Sequence, residues 1–219
     1  MASKKHLYFV PGLAADVSIF EFLQFPEDYE LHYLEWLLPL SEEENLNEYC
    51  KRMAERITHP NPILIGVSFG GIIVQELKPM VNASKVFIIS SIKSRDEMPL
   101  HLKLLQKTKT YKLFPTGAIA NFEDFTKYAF GDRAKQKIKL YKKYLSVRDK
   151  QYLNWAVHNV LNWNRAEADS EIIHIHGTND LIFPSKNIKN CMLIEEGTHA
   201  MILMKAKKIS RIIQDSIHI

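Results

Sequence analysis

Within this 219-residue chain, the stretch with the plainest chemical content is Gly66-Val67-Ser68-Phe69-Gly70, a G-x-S-x-G arrangement followed by Gly71. A serine hydroxyl is a weak nucleophile near neutral pH, so it reacts only where its Oγ is exposed and a base takes its proton. The spacing answers the first need. Small residues two places before and after the serine permit a sharp strand-to-helix turn that pushes the hydroxyl out of a sheet. The other reading of the same residues is a glycine-rich turn whose serine merely caps the following helix. The second need is an imidazole, itself oriented by a third group. His176-Gly177-Thr178-Asn179-Asp180 offers a carboxylate at Asp180, and Gly197-Thr198-His199 offers an imidazole at His199.

For residues so far apart in sequence to meet, the elements that carry them must end on one side. Leu7–Val10, Ile63–Val67, Lys85–Ser90, Glu171–His176 and Cys191–Ile194 are short apolar runs rich in β-branched residues and read as strands. Tyr29–Trp36 alternates more and reads as another strand, and Val17–Leu23 as a short helix. Ser41 with Glu44 resembles a capping box for a helix through Leu46, Tyr49, Met53 and Ile57 that stops near His59-Pro60. Ile72–Leu77 continues from the serine turn as a helix, and Ile202, Ile209, Ile212, Ile213 and Ile217 mark an amphipathic terminal one. Strands alternating with helices imply a mostly parallel sheet. The carboxyl ends of parallel strands share one edge, and Ser68, Asp180 and His199 each follow a predicted strand.

Between Ile92 and Asp169 the strand pattern disappears. The sequence there is Lys-rich and aromatic, with Tyr111, Phe114, Phe122, Phe125, Tyr128, Phe130, Tyr141, Tyr144, Trp155 and Trp163, and it breaks around Pro115-Thr116-Gly117 and Gly131. Several helices inserted over the strand ends are expected. Residues 101–150 carry 11 Lys and 2 Arg against four acids, in a chain whose net charge is only +4. Such a segment could steer anions or touch nucleic acid, but lysines alternating with apolar residues at helical spacing describe a solvated helix face.

Composition narrows the class. Hydrophobic content of 46% and charged content of 25% are those of a globular protein and exclude disordered or collagen-like chains. Cys50 and Cys191 have no metal-type spacing, which argues against a zinc site or a disulfide framework. The apolar run Leu7–Val10 is too short for the centre of a signal peptide, and no stretch approaches the roughly 18 apolar residues of a membrane helix. A soluble cytoplasmic protein is the expectation.

Other residues compete for roles. Asp96 follows a predicted strand and is a rival acid, although Ser94-Arg95-Asp96-Glu97 reads as a solvated turn. Glu195 and Glu196 read as surface charges, and Asp16 as structural. His174 and His176 share one strand face and suggest a metal pair, but without a third ligand at suitable spacing a hydrogen-bonded role is favoured.

GVSFGG around Ser68, HGTND-LIFP with Asp180 and EGTHAMI with His199, in that order, resemble the α/β-hydrolases. The resemblance covers residues 6–91 and 170–217. It implies an α/β fold with about six mostly parallel strands flanked by helices, lacking the first two strands of larger members. The core would be residues 1–91 and 170–219, and residues 92–169 a helical cap. It further implies Ser68 as nucleophile, His199 as general base, Asp180 as its orienting acid, and an oxyanion hole from the backbone N–H groups of Phe69 and Leu13. Many relatives have His-Gly where this chain has Pro11-Gly12. The implied activity is hydrolysis of an ester or thioester through an acyl-enzyme. It needs a small-molecule acyl substrate and no cofactor or metal, and it calls for no nucleic-acid or membrane partner; the oligomeric state is left open. The alternatives are a non-catalytic small-molecule-binding protein that keeps the fold, and a basic nucleic-acid or membrane-surface adaptor built on the cap.

Overall fold

The structure, a computed structural model, describes residues 4–109 and 143–217. Six strands form one sheet: β1 (Lys5–Val10), β2 (Tyr29–Tyr33), β3 (Ile63–Val67), β4 (Lys85–Ile89), β5 (Ile173–Gly177) and β6 (Met192–Ile194). Their order is β2-β1-β3-β4-β5-β6 and every neighbouring pair is parallel, as the strand–helix alternation predicts. The chain runs outward from β1 to the edge strand β2, then returns past β1 to β3. The loops after β1 and β3 therefore part company between those strands, the place where open parallel sheets keep their crevices.

Both faces of the sheet are covered, which is why its strands read as unbroken apolar runs. Tyr8, Val10, Leu64, Val86 and Ile88 pack under α1 (Leu46–Ala54) and α2 (Phe69–Leu77). Leu7, Phe9, Ile63, Ile65, Phe87, Ile89 and Ile175 face the opposite layer, α5 (Met201–Met204) and α6 (Ala206–Ile217). Ile209, Ile213 and Ile217 are the buried stripe of α6, while Lys207, Lys208 and Arg211 face solvent. Each such isoleucine removed from water contributes on the order of 1.5–3 kcal/mol.

Several boundaries differ from the sequence reading. Helix α1 starts at Leu46, capped by Asn45 through a bond from the Asn47 N–H, and ends at Ala54 rather than near His59. Glu44 is diverted from the expected capping box: its carboxylate pairs with Arg52 at 2.7 Å and accepts from the Leu40 N–H. The Val17 segment is a single 3-10 turn, Val17–Phe20. The terminal helix is two, broken at Lys205.

Within residues 92–169 the described elements are helical, as expected: a 3-10 turn at Arg95–Glu97, α3 (Leu100–Thr108) and α4 (Lys150–Asn162). Helix α4 is anchored by Trp155, fully buried, whose indole N–H donates to the Glu44 carbonyl at 2.8 Å. Tyr111, Phe114, Phe122, Phe125, Tyr128, Phe130 and Tyr141, the breaks at Pro115-Thr116-Gly117 and Gly131, and most of the lysines of 101–150 lie outside the described residues. No helix among the described residues is long and apolar enough to cross a membrane.

Candidate active site

Ser68 stands between β3 and α2 with φ 53° and ψ −116°, a conformation that costs a residue with a side chain on the order of 1–3 kcal/mol. Its surroundings impose that cost. The Ser68 N–H donates to Ile89 O at 2.9 Å, and Ser68 O accepts from the Gly71 N–H at 2.9 Å and the Ser91 hydroxyl at 2.7 Å. The flanking glycines are sterically required. A Cβ on Gly66 would lie 2.2 Å from Gly70 O, and one on Gly70 would lie 2.3 Å from Pro11 O. The serine does not cap α2 with its side chain. Its Oγ turns away to His199 Nε2, 2.9 Å distant.

His199 reaches that point from the loop after β6, and Asp180 from the loop after β5. Backbone bonds stitch the two loops together: Thr178 N–H to Ile194 O at 3.0 Å and Asn179 N–H to Gly197 O at 2.8 Å. His199 Nδ1 lies 2.9 Å from Asp180 Oδ2. With a carboxylate on that side Nδ1 carries the proton, which leaves Nε2 free to accept from the serine hydroxyl. The other Asp180 oxygen accepts the N–H groups of Ile182 and Phe183, each at 2.9 Å. Burial pushes the Asp180 carboxyl up, but the His199 and His176 rings and the Phe183 N–H outweigh it and hold the group below the usual carboxylate range. The acid is fixed, dry and ionised, and its imidazole neighbour is only 8% exposed.

The structure therefore brings Ser68, His199 and Asp180 into one hydrogen-bonded series. Phe69, the first residue of α2, has an amide with no acceptor inside its own helix. Its ring packs against Trp36 and Trp155 instead of facing the cavity. Leu13 lines the cavity beside Ser68, and no described residue accepts from its amide. Pro11-Gly12 brings this loop over the serine, and a Cβ on Gly12 would sit 3.5 Å from Ser68 Cβ.

Above the serine opens a cavity of about 350 Å³. Leu13, Ile19, Val67, Ile182 and Phe183 line it from the core, and Leu102, Leu105, Leu145, Val157, Val160 and Leu161 from the 92–169 segment. Among the described residues no Lys, Arg, Asp or Glu lines it. Ser68, His199 and Tyr144 bring the polar side chains, and the Tyr144 hydroxyl is already bound to Glu21.

The competing residues are placed elsewhere. Asp96 is exposed and makes no contact with His199. Its neighbour Glu97 overturns the reading of a solvated turn: it is 2% exposed and accepts the N–H groups of Lys93 at 2.6 Å and Lys189 at 3.0 Å. Glu195 and Glu196 are exposed, and Asp16 accepts from the Ser18 N–H and the Ser146 hydroxyl. His174 and His176 bond each other at 3.1 Å, and His176 Nε2 donates to Phe183 O at 2.8 Å. That bond braces the turn whose Phe183 N–H holds Asp180, a link that sequence spacing alone did not expose.

No family model and no curated protein matches the chain in sequence. Solved structures do match in shape. A lipase-esterase related protein from Clostridium acetobutylicum aligns at TM-score 0.64 and 20% identity, over 98% of this chain and 95% of that one. A bromoperoxidase from Bacillus anthracis aligns at TM-score 0.69 and 16% identity, over 99% and 92%. The enol-lactonase from Burkholderia xenovorans aligns at TM-score 0.67 and 11% identity, also over 99% and 92%. The chain has the α/β-hydrolase fold. In that fold the loops after β3, β5 and β6 gather at one edge of the sheet, and Ser68, Asp180 and His199 sit on those three loops.

Proposed function

We infer that the protein is a serine hydrolase that cleaves an uncharged carboxylic ester or thioester through an acyl-enzyme on Ser68. The observation that carries this reading is the unbroken series from Ser68 Oγ through His199 to Asp180, with 2.9 Å at both contacts and an apolar cavity at its open end. His199 takes the serine proton as Oγ adds to the carbonyl, and Asp180 stabilises the imidazolium that forms. The carbonyl oxygen gains its charge between the amides of Phe69 and Leu13, each such donor being worth about 3–4 kcal/mol in the transition state. His199 then returns the proton to the departing alcohol or thiol. A water molecule deprotonated by the same nitrogen releases the acid and restores the serine. Residues 92–169 serve as the cap that holds the acyl group. The absence of charge in the described lining favours an aliphatic or aryl acyl chain over a charged one.

The test is fluorophosphonate labelling of the purified chain beside p-nitrophenyl esters and acyl-thioesters of graded length. Labelling at Ser68, with turnover lost in Ser68→Ala, is the expected result. A folded chain that neither labels nor turns over any of these substrates would instead be a binding protein on the same fold.

A further inference from the structure

At the opposite end of the sheet, a second group of chemically competent side chains has no part in the site above. His6 on β1, Glu30 and His32 on β2, and His59 on the loop between α1 and β3 each offer one ligand atom, and these four atoms lie within 4.8 Å of one another. The parallel register sets this up, pairing His6 with Glu30 and Tyr8 with His32, so alternate residues of both strands face the same side. We propose that His6, Glu30, His32 and His59 form a binding site for one divalent transition-metal ion of the zinc class, which clamps the edge strand β2 to β1 and to the loop that enters β3.

The geometry is near what such an ion needs. Two nitrogens on a tetrahedral Zn²⁺, each about 2.0–2.1 Å from the metal, lie about 3.3 Å apart. His6 Nδ1 and His32 Nε2 are 3.0 Å apart, and the Glu30 oxygens lie 4.0 and 3.9 Å from those same two nitrogens. A contraction of about half an ångström completes that part of the shell. The His59 ring is stacked on His6 at 3.6 Å between centroids and 9° between planes. Two parallel stacked rings cannot both point edge-on at one ion, so binding requires His59 to swing out of the stack. Its place on a half-exposed loop leaves room for that.

Two features point to a ligand rather than to a chance gathering. Among the described residues no Lys or Arg pairs with Glu30, whose carboxylate faces the His6 and His32 imidazoles at 4.0 and 3.9 Å. Tyr8 meets His59 Nδ1 at 2.6 Å while its oxygen also accepts the Thr58 N–H at 3.3 Å. Tyr8 thus occupies Nδ1 of His59, and Nε2, which has no hydrogen-bond partner among the described residues, is the nitrogen open to a metal once the ring turns about that contact. Three imidazoles and one carboxylate suit Zn²⁺, Co²⁺, Ni²⁺ or Cu²⁺, whereas Mg²⁺ and Ca²⁺ prefer all-oxygen shells. From His6 to Val10 the strand climbs about 13 Å toward the serine end. The ion is a clamp and supplies no chemistry to Ser68, so the proposal stands apart from the hydrolase reading.

The experiment titrates the untagged full-length chain, freed of metal with a chelator, with ZnCl₂ by calorimetry and follows its thermal unfolding. One Zn²⁺ per chain and a raised Tm are expected, with no rise from Mg²⁺ or Ca²⁺. His32→Ala should abolish the site. Glu30→Gln, at a side chain 45% exposed where folding is not at risk, should weaken it at least about tenfold, and Tyr8→Phe by about 10–100-fold. Ser68→Ala should bind as the parent does, whatever becomes of the esterase test. The proposal is overturned if no saturable binding is found, or if His32→Ala and Glu30→Gln retain parental affinity. It is equally overturned if His199→Ala, at the other end of the sheet, is the variant that loses the ion.

Discussion

At the carboxyl end of the sheet one imidazole, His199, is held between Asp180 and Ser68 with 2.9 Å on either side; at the amino end three, His6, His32 and His59, face one another beside Glu30. The residue type is the same and the difference lies in what each nitrogen meets. His199 has a carboxylate for its donor and a hydroxyl for its acceptor, so its tautomer is settled by the protein alone. The amino-end rings meet mostly each other, and their protons can be shared out in more than one way, an arrangement that the proposed cation would fix. The proposed proton carrier and the proposed cation clamp correspond to those two environments.

The sharpest way to break this contrast is to disturb the carboxyl end without emptying it. Asp180→Asn keeps the side-chain shape but replaces an acceptor that fixes the His199 tautomer with an amide that does not. The expected loss in kcat toward p-nitrophenyl esters is on the order of 10³–10⁴, while His32→Ala leaves kcat within about twofold of the parent. A loss below about tenfold in Asp180→Asn would mean that the acid is not part of the machinery. A large loss in His32→Ala would mean that the two ends are coupled.

The next effect in size concerns the cavity. Val157 on α4 is half-buried and lines it, so Val157→Asp places a charge in a wall where the described residues carry none. Specificity between acyl chains rests on apolar contacts worth about 1–3 kcal/mol each. The kcat/KM for an octanoyl ester should fall about 10–100-fold, and that for an acetyl ester far less. Equal losses for both lengths would place the acyl group somewhere other than under α4.

The two ends also differ in how far they could be read from sequence. Ser68, Asp180 and His199 each follow an apolar run, and a parallel sheet sends all such runs to one edge, so both the sheet and the gathering of these residues were legible. The amino-end cluster was not. His6 reads as part of a basic start with Lys4 and Lys5, and only the pairing register puts it beside Glu30 and over the loop that carries His59. The alternation of Glu30 and His32 in Tyr29-Glu30-Leu31-His32-Tyr33 was the one local signal available. Glu97 was missed for a related reason. A carboxylate in a polar turn is buried here because Lys93 and, far along the chain, Lys189 offer it backbone N–H groups that no local pattern displays. The start of α1 moved because Arg52, on the helix itself, takes the Glu44 side chain that a capping box would need.

A third group of imidazoles extends the comparison to the interior and gives the smallest effect. Burial, aided by His176 and Lys93 nearby, drives His174 well below the ordinary imidazole range. Burial also lowers His176, against the pull of Asp180 and the bond to Phe183 O. In the unfolded chain both rings take up a proton as pH falls through about 6.5, and in the folded chain they resist it. The unfolded state then binds more protons, so stability is whole above about pH 6.5 and declines as pH drops toward the folded values. The slope is about 1.4 kcal/mol per pH unit for each such ring. His174→Gln keeps an N–H for His176 and removes one titration. Urea midpoints measured from pH 7.5 to 5.0 should therefore fall less steeply in the variant, by about one ring's share. Parallel curves would show that His174 titrates alike in the folded and unfolded states, and that its burial inside the sheet does not shield it from protons.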